Sequence, residues 1–148
     1  MMKFDVNIKK LNDKAIIPTY GTEYAAGADL YACMDEAVTI NPGETHFIKT
    51  GIAMEVPVGY AGLIYARSGL ACKKGLAPAN KVGVVDSDYR GEIMLSLINH
   101  GKEDFTVEPN MRLAQLIAFP VLSQEWIETD TLDDTERSTG GFGSSGNN

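Results

Sequence analysis

Glycine and proline interrupt this chain so often that long helices have little room to form. The 148 residues contain 15 glycines and 6 prolines. The segments between them are short, and several alternate apolar with polar residues, the period-2 pattern of a half-buried β-strand. Many short strands joined by turns predict an all-β fold, either a sandwich or a barrel-like stack of sheets.

The predicted strands share this alternation or a run of β-branched residues. They cover residues 4–8, 28–32, 38–40, 46–48, 52–56, 61–65, 82–85, 93–97, 105–107 and 113–121. Residues 69–74 form the one short helix candidate. Asn-Pro-Gly-Glu at 41–44 is typical of a turn.

Composition limits the class of protein. The apolar content of 44% and charged content of 22% are ordinary for one globular domain with a hydrophobic core. No apolar run approaches the ~20 residues of a membrane span. The N-terminal residues lack the apolar stretch of a signal peptide. Cys33 and Cys72 have no metal-ligand spacing, so both are expected to be small buried thiols. A cytoplasmic setting follows as an expectation.

Net charge argues against a nucleic-acid partner, as the lack of a long apolar run argues against a membrane. The formal charge is −7, whereas a broad nucleic-acid surface needs a net basic face. We therefore expect neither a nucleic-acid nor a membrane partner.

The composition changes after residue 127. Residues 128–148 are rich in Asp, Glu and Thr and then in Gly and Ser, so they cannot pack a core. We predict a folded domain over residues 1–127 and a C-terminal arm over residues 128–148. At ~3.3 Å per extended residue, such an arm is long enough to reach a neighbouring subunit.

The stretch from residue 80 to residue 96 is predicted to be two strands folded back as a β-hairpin. Its tip, Asp-Ser-Asp-Tyr-Arg-Gly at 86–91, has residues that favour a turn. An ordinary hairpin turn needs only Asn-Gly or Asp-Gly. This tip adds two carboxylates, a phenol ring and a guanidinium, more chemistry than a turn requires.

Other segments carry groups suited to anions. The four arginines are Arg67, Arg90, Arg112 and Arg137. A guanidinium matches phosphate with two parallel hydrogen bonds, so the arginines could form one anion site or be separate surface residues. Ser68 and Gly69 suit an N-cap beside Arg67.

Three further features leave alternatives open. Gln115 lies in an apolar strand, where its side-chain amide either has hydrogen-bond partners within the core or contacts a ligand. The run at 140–145 could wrap phosphate oxygens or be a plain Gly/Ser end. Phe142 within it could stack on a base. Asp29 among small residues is uninformative alone.

Taken in order, five segments resemble those of the trimeric deoxyuridine triphosphatase (dUTPase) family. They are A-G-A-D-L-Y-A at 26–32, A-R-S-G-L-A at 66–71, G-V-V-D-S-D-Y-R-G-E-I at 83–93, R-L-A-Q-L at 112–116 and R-S-T-G-G-F-G-S-S-G at 137–146. They occur at family-like spacing across nearly the whole chain, and the set is highly specific.

The resemblance implies a β jelly-roll homotrimer with a swapped C-terminal arm. Each active site would be shared between subunits, and the arm would close over a site formed by its neighbours. The implied reaction is hydrolysis of dUTP to dUMP and pyrophosphate by attack of water on the α-phosphorus, with Mg²⁺ on the triphosphate. It would keep uracil out of DNA and supply dUMP for thymidylate synthesis.

The resemblance also implies roles for residues of this chain. Asp86 would orient and deprotonate the attacking water, and Tyr89 would pack on the deoxyribose. Asp29 would reach Mg²⁺ through water. The other implied substrate-binding residues are Asn80 and the backbone near Gly91 to Met94 for the uracil edge; Gly83; Arg67, Ser68, Gly69 and Gln115 for the phosphates; and Arg137, Phe142, Gly143 and Ser144 in the arm. The roles of Arg90 and Arg112 stay open.

Two alternatives differ in function. A dCTP deaminase has a similar fold and a similar Arg-Ser segment, but it carries a catalytic Glu where this chain has Ser96. A nucleotide-sensing regulatory protein without activity would have a broken Asp86, Tyr89 or arm motif, and none is broken here.

Overall fold

The computed structural model describes residues 4–141, which form twelve β-strands and one α-helix. The strands are β1 (Asn7–Lys10), β2 (Thr19–Tyr20), β3 (Ala28–Tyr31), β4 (Val38–Ile40), β5 (Thr45–Lys49), β6 (Ile52–Glu55), β7 (Tyr60–Ala66), β8 (Leu76–Pro78), β9 (Gly83–Val85), β10 (Met94–Asn99), β11 (Phe105–Val107) and β12 (Arg112–Pro120). The helix α1 (Ser68–Lys74) lies between β7 and β8. The all-β prediction is confirmed.

The strands form antiparallel sheets around one core. The five-stranded sheet has the order β2-β3-β12-β7-β9, and the three-stranded sheet has the order β5-β10-β8. Two further pairs are β1-β6 and β11-β4. Leu30, Ile40, Ile52, Leu97 and Leu113 are each at most 1% exposed, and together they represent all four sheets. The core is therefore the shared interior of a jelly-roll-like sandwich.

The predicted hairpin at 80–96 is wrong as a strand pairing. Strand β9 pairs with β7, while β10 pairs with β5 and β8. No ladder joins β9 to β10 in the described part of the chain. Eight residues, 86–93, separate the two strands, and a connection of that length can cross from one sheet to another. We call it the crossing turn.

The alternation within the returning strand is confirmed. Ile93, Leu95 and Leu97 are at most 2% exposed, whereas Met94 is 47% exposed. The pattern identified the buried face of β10 but not its partners, because alternation depends on one strand alone.

Several boundaries differ from the prediction. Strand β1 begins at Asn7, and Phe4 instead stacks on the Tyr60 ring with centroids 4.8 Å apart. The N-cap of α1 is Arg67 rather than Ser68 or Gly69, and no side chain caps it. The helix ends at Lys74 and is capped by Gly75, whose φ of 76° is left-handed.

The end of the last strand precedes the predicted arm. Strand β12 ends at Pro120, and residues 121–139 are all exposed. Trp126 is 87% exposed, so it does not contribute to the core. Cys33 is buried as expected, but Cys72 is exposed, which corrects the prediction for that thiol. No helix within residues 4–141 is long and apolar enough to cross a membrane.

Candidate functional site

A cavity of about 240 Å³ lies beside the crossing turn. Its walls include five predicted site residues: Asn80, Gly83, Asp86, Tyr89 and Met94. They reach the cavity because β9 and β10 leave the turn toward different sheets and open a gap between them. We call this space the turn cavity.

The turn around Asp86 is closed by backbone hydrogen bonds. The Tyr89 amide donates to the Asp86 carbonyl at 3.2 Å. The Arg90 guanidinium donates to the carbonyls of Ser87 and Tyr89 at 2.8 and 3.0 Å. It also lies 3.6 Å from a Glu55 carboxylate oxygen. Arg90 is therefore a structural residue of the turn. Asp86 itself is exposed and accessible to water.

Tyr89 is held at the hydroxyl end of its ring. The hydroxyl donates to the Glu92 carbonyl at 3.0 Å. A Cβ atom at Gly91 would overlap the same hydroxyl oxygen, so only glycine leaves room for it. The residue is still 43% exposed, which leaves the ring accessible to a ligand.

Close packing also shapes the end of the cavity beside Asn80. The Val82 amide donates to the Asn80 carbonyl at 2.7 Å, and Lys81 between them has a φ of 67°. A Cβ atom at Gly83 would lie 3.2 Å from Ile64 and 3.5 Å from the Asn80 side-chain nitrogen. Glycine at position 83 therefore allows close packing against Ile64, and the Asn80 amide lies directly beside it.

A second group of predicted site residues surrounds Asp29. One carboxylate oxygen lies 3.0 Å from Nε of Arg67, and the other lies 3.0 Å from Nη1 of Arg112. Arg67 also donates to the Arg112 carbonyl at 3.0 Å. Two guanidiniums and one carboxylate leave a surplus of one positive charge. We call this group the arginine cluster.

The register of the five-stranded sheet builds this cluster. Asp29 on β3 lies opposite Gln115 on β12. The Gln115 amide nitrogen donates to the carbonyl of Ala66, the residue before Arg67, at 2.9 Å. A Cβ atom at Gly27 would lie only 3.0 Å from the Gln115 side-chain oxygen. Gln115 is thus a satisfied, half-buried amide whose oxygen lies beside a glycine.

The chain does not bring all predicted site residues together. The described walls of the turn cavity include none of Asp29, Arg67, Ser68, Gly69 or Gln115. The residues predicted to bind the nucleoside and those predicted to bind the phosphates therefore form two separate groups within one chain.

The arm residue Arg137 lies in neither group. Its Nε donates to the Gly140 carbonyl at 2.9 Å, and the Gly140 amide donates back to the Arg137 carbonyl at 2.9 Å. Phe142, Gly143 and Ser144 lie outside the described residues.

The described residues fit a metal held through water better than a protein metal cage. Residues 4–141 contain no cluster of three or more His, Cys, Asp or Glu side chains able to bind a metal. Each Asp29 oxygen accepts one guanidinium contact, and a carboxylate offers about four lone-pair sites. Capacity for bonds from water remains, which suits Mg²⁺ bound mainly by phosphate oxygens.

Two residues of the turn cavity were missed from the sequence. Phe47 on β5 is 71% exposed and lines the cavity. Glu92 also lines it, and its carboxylate accepts the Gly51 amide at 2.9 Å. Neither had a local signal, because Phe47 occurs in an ordinary strand pattern and the contact of Glu92 spans 41 residues.

A larger cavity, of about 400 Å³, lies elsewhere, beside β5. Lys14, Asp35 and His46 line it, but none of the predicted site residues does. Volume alone therefore does not identify the site, and the chemistry favours the turn cavity.

Sequence comparisons agree on one family. The sequence profile of the dUTPase family matches residues 13–146. Deoxyuridine 5′-triphosphate nucleotidohydrolase of Syntrophotalea carbinolica is 45% identical over 146 residues, which is 99% of each chain. The enzyme of the same name from Nautilia profundicola is 50% identical over 141 residues, covering 95% of this chain and 98% of the relative.

Solved structures show the same similarity. A variant of the dUTPase of Staphylococcus bacteriophage 80alpha superposes with a TM-score of 0.87 at 26% identity, covering 97% of this chain and 100% of the phage chain. Another variant of that enzyme, solved with dUpNHpp, has a TM-score of 0.83 at 26% identity and covers 97% and 99% of the two chains.

Proposed function

The chain belongs to the dUTPase family and hydrolyses dUTP to dUMP and pyrophosphate, and we propose that its turn cavity binds deoxyuridine while its arginine cluster binds the phosphates. One observation carries this assignment: the predicted site residues fall into two groups. The turn cavity offers an amide and a phenol to a ligand, whereas the arginine cluster has a surplus of positive charge.

In this proposal, the turn cavity selects the nucleoside. Asn80 and the main chain at Gly83 and Met94 pair with the polar edge of uracil. A site built from such donors and acceptors rejects other bases, because a mismatched ligand leaves them unpaired. Tyr89 packs on the sugar, where it excludes a 2′-hydroxyl.

The arginine cluster supplies charge for the phosphates. The triphosphate carries about four negative charges, and displacement at phosphorus puts more charge on the leaving group. Arg67, Ser68, Gly69 and Gln115 bind the phosphate oxygens, and Arg112 belongs beside Arg67 because both contact Asp29. Positioning and charge neutralisation are the main contributions that a protein makes to this chemistry.

Asp86 serves as general base. Its carboxylate accepts a proton from water, the water oxygen bonds to the α-phosphorus, and the bond from that phosphorus to the bridging oxygen breaks. The products are dUMP and pyrophosphate. The exposed position of Asp86 at the edge of the turn cavity supports this role, because water reaches it directly.

We propose that Mg²⁺ accompanies the triphosphate. When bound, the ion neutralises phosphate charge and orients the phosphate groups. Asp29 would contact it through water while keeping its two arginine contacts.

We further propose a homotrimer whose sites are shared between subunits. The separate positions of the two groups in one chain support this, because the arginine cluster of one copy can complete the turn cavity of another. The domain of residues 1–127 contains the jelly-roll core, whose last strand ends at Pro120, and the arm, residues 128–148, extends to a site formed by neighbouring copies. There Arg137, Gly143 and Ser144 bind phosphate and Phe142 covers the uracil. A cytoplasmic setting without nucleic-acid or membrane partners completes the proposal.

A substrate panel tests the assignment. Pyrophosphate release is measured with dUTP, dCTP, UTP and dTTP side by side, and only dUTP is expected to be cleaved rapidly. In water enriched in ¹⁸O, the label is expected in dUMP, because water attacks the α-phosphorus. Label in pyrophosphate would refute that direction of attack.

The deaminase alternative has a distinct readout in the same panel. Ammonia release from dCTP would support it, and none is expected. Ser96 on β10 has a hydroxyl where a deaminase needs a carboxylic acid, so the side chain at this position cannot transfer the proton that deamination requires.

A further inference from the structure

We propose that Glu92 is a positioning residue for Tyr89 and thereby helps determine the selection of deoxyribose over ribose. The inference rests on the proposed function, in which the Tyr89 ring packs on the sugar. It adds a reason why the ring stays in place when a 2′-hydroxyl pushes against it.

The acceptor for the Tyr89 hydroxyl is a peptide group fixed on both sides. The Glu92 carbonyl accepts the hydroxyl at 3.0 Å. The amide of the same peptide unit, that of Ile93, donates to the Ile52 carbonyl at 2.9 Å. The ring is therefore attached to a backbone group that is itself attached to β6.

Two side chains complete the attachment. The Glu92 carboxylate accepts the Gly51 amide at 2.9 Å, and the buried Thr50 hydroxyl donates to the Ile93 carbonyl. Residues 50–52 thus contact the Glu92–Ile93 segment at three points. Substitution of Glu92 removes only the contact of its carboxylate with the Gly51 amide and leaves the contacts of Thr50 and Ile52 in place.

The support behind Glu92 is closely packed. Gly51 has a φ of 69°, and a Cβ atom there would lie 2.7 Å from Sγ of Cys33 and 2.8 Å from Cβ of Ala15. The amide that Glu92 accepts therefore belongs to a backbone with little room to shift. A carboxylate acceptor also makes a stronger hydrogen bond than a neutral one.

This arrangement affects specificity because the Tyr89 ring can exclude a 2′-hydroxyl only if the ring does not move away from the sugar. Tyr89 is 43% exposed, so packing alone holds its ring loosely. The bond from its hydroxyl to the Glu92 carbonyl opposes a tilt of the ring away from the sugar. If that bond or its support is lost, the ring can yield to UTP while still packing on dUTP.

The test compares kcat/KM for dUTP and for UTP in five variants: Tyr89→Phe, Glu92→Ala, Glu92→Gln, Glu55→Ala and the Tyr89→Phe/Glu92→Ala double variant. Tyr89→Phe removes only the hydroxyl, and Glu92→Ala removes only the support. The preference for dUTP is expected to fall about tenfold in each, comparable to the loss of one hydrogen bond.

The remaining variants are the controls. The double variant is expected to fall no further than either single variant, because both act on one restraint. Glu92→Gln is expected to keep most of the preference, since its amide oxygen still accepts the Gly51 amide, although less strongly than the carboxylate. Glu55→Ala removes another carboxylate that contacts this turn, through Arg90, and is expected to leave the preference unchanged.

An unchanged preference in Tyr89→Phe would overturn the inference, even if Glu92→Ala failed to fold. Additive losses in the double variant would also overturn it. A sixth variant, Tyr89→Ala, separates this failure from that of the proposed function. If Tyr89→Ala lowers the preference while Tyr89→Phe does not, only the positioning role is wrong. If Tyr89→Ala has no effect, the proposed contact with the sugar is wrong as well.

Discussion

Nε of Arg67 lies 3.0 Å from Oδ1 of Asp29, so the carboxylate orients the guanidinium. Arg112 occupies the second oxygen of the same carboxylate. One acidic residue thus holds two cations that would otherwise repel each other, at the end of a strand where a triphosphate is expected to bind.

Asp29→Ala is expected to lower kcat/KM for dUTP about 100-fold, because Arg67 and Arg112 lose their common orientation. The Asp29 side chain is 12% exposed while the arginines are 30% and 49% exposed, so the free energy of unfolding should fall by only about 2 kcal/mol. Steady-state kinetics and urea unfolding measure the two effects. Full activity in this variant would show that the arginines need no carboxylate partner.

Asp86→Asn is expected to reduce kcat by about 10³-fold, because the amide cannot accept the proton of the attacking water. Binding of dUpNHpp, measured by calorimetry, should change little. Asp88→Asn is the matched control, since Asp88 lies in the same turn and is also exposed. Equal losses in the two variants would assign the effect to the charge of the turn and not to a base.

Deletion of residues 137–148 is expected to leave a folded trimer, because residues 121–139 are exposed and contribute nothing to the core. Catalysis should weaken strongly, since the deletion removes Arg137 and the segment expected to cover the site. Sedimentation velocity measures the assembly and pyrophosphate release measures the rate. Dissociation into monomers would mean that the arm holds the subunits together.

Asn99→Ala is expected to lower the free energy of unfolding by about 3 kcal/mol, at about 1 kcal/mol for each of three hydrogen bonds. Its fully buried side chain donates to the carbonyls of Ile40 and Glu103 and accepts the Gly101 amide. Asn41→Ala is the control, because that exposed side chain donates only to Glu44. Similar urea midpoints for the two variants would contradict this interpretation.

The Lys14–Asp35 pair gives a prediction for pH. The hydrogen bond from Lys14 holds the pKa of Asp35 below its ordinary value of 3.8, so its stabilisation is present above pH 3.8 and lost as the pH falls through the lowered pKa. The same bond holds the pKa of Lys14 above 10.5, so that stabilisation is lost as the pH rises through the raised pKa. Both groups are exposed, and Asp35→Asn should barely change the urea midpoint at pH 7. A large shift would show a role beyond the surface pair.

Local patterns predicted much of this fold. The alternation of Ile93, Leu95 and Leu97 identified a buried strand face, and the helix predicted over residues 69–74 is observed as α1. Both depend on residues close together in the chain. The N-cap was misassigned because Ser68 suits that position by type, while the backbone places Arg67 there.

The order of five short segments also indicated the chemistry. It identified the family and predicted Asp86, Tyr89 and Arg67 as site residues. Their grouping was not visible. The contact of Arg112 with Asp29 spans 83 residues and that of Gly51 with Glu92 spans 41, so no local pattern predicts either one.

The amino-acid order alone therefore determined the all-β class and the strand faces, because side-chain periodicity and turn chemistry act over a few neighbours, and it predicted the residue types of the site. Only the tertiary structure decided that β9 and β10 join different sheets, that Asp29 holds two arginines, and that the Glu92 carboxylate accepts the Gly51 amide. Strand pairing is chosen by the packing of segments far apart in the chain, and the same packing opened the cavity where a hairpin had been expected.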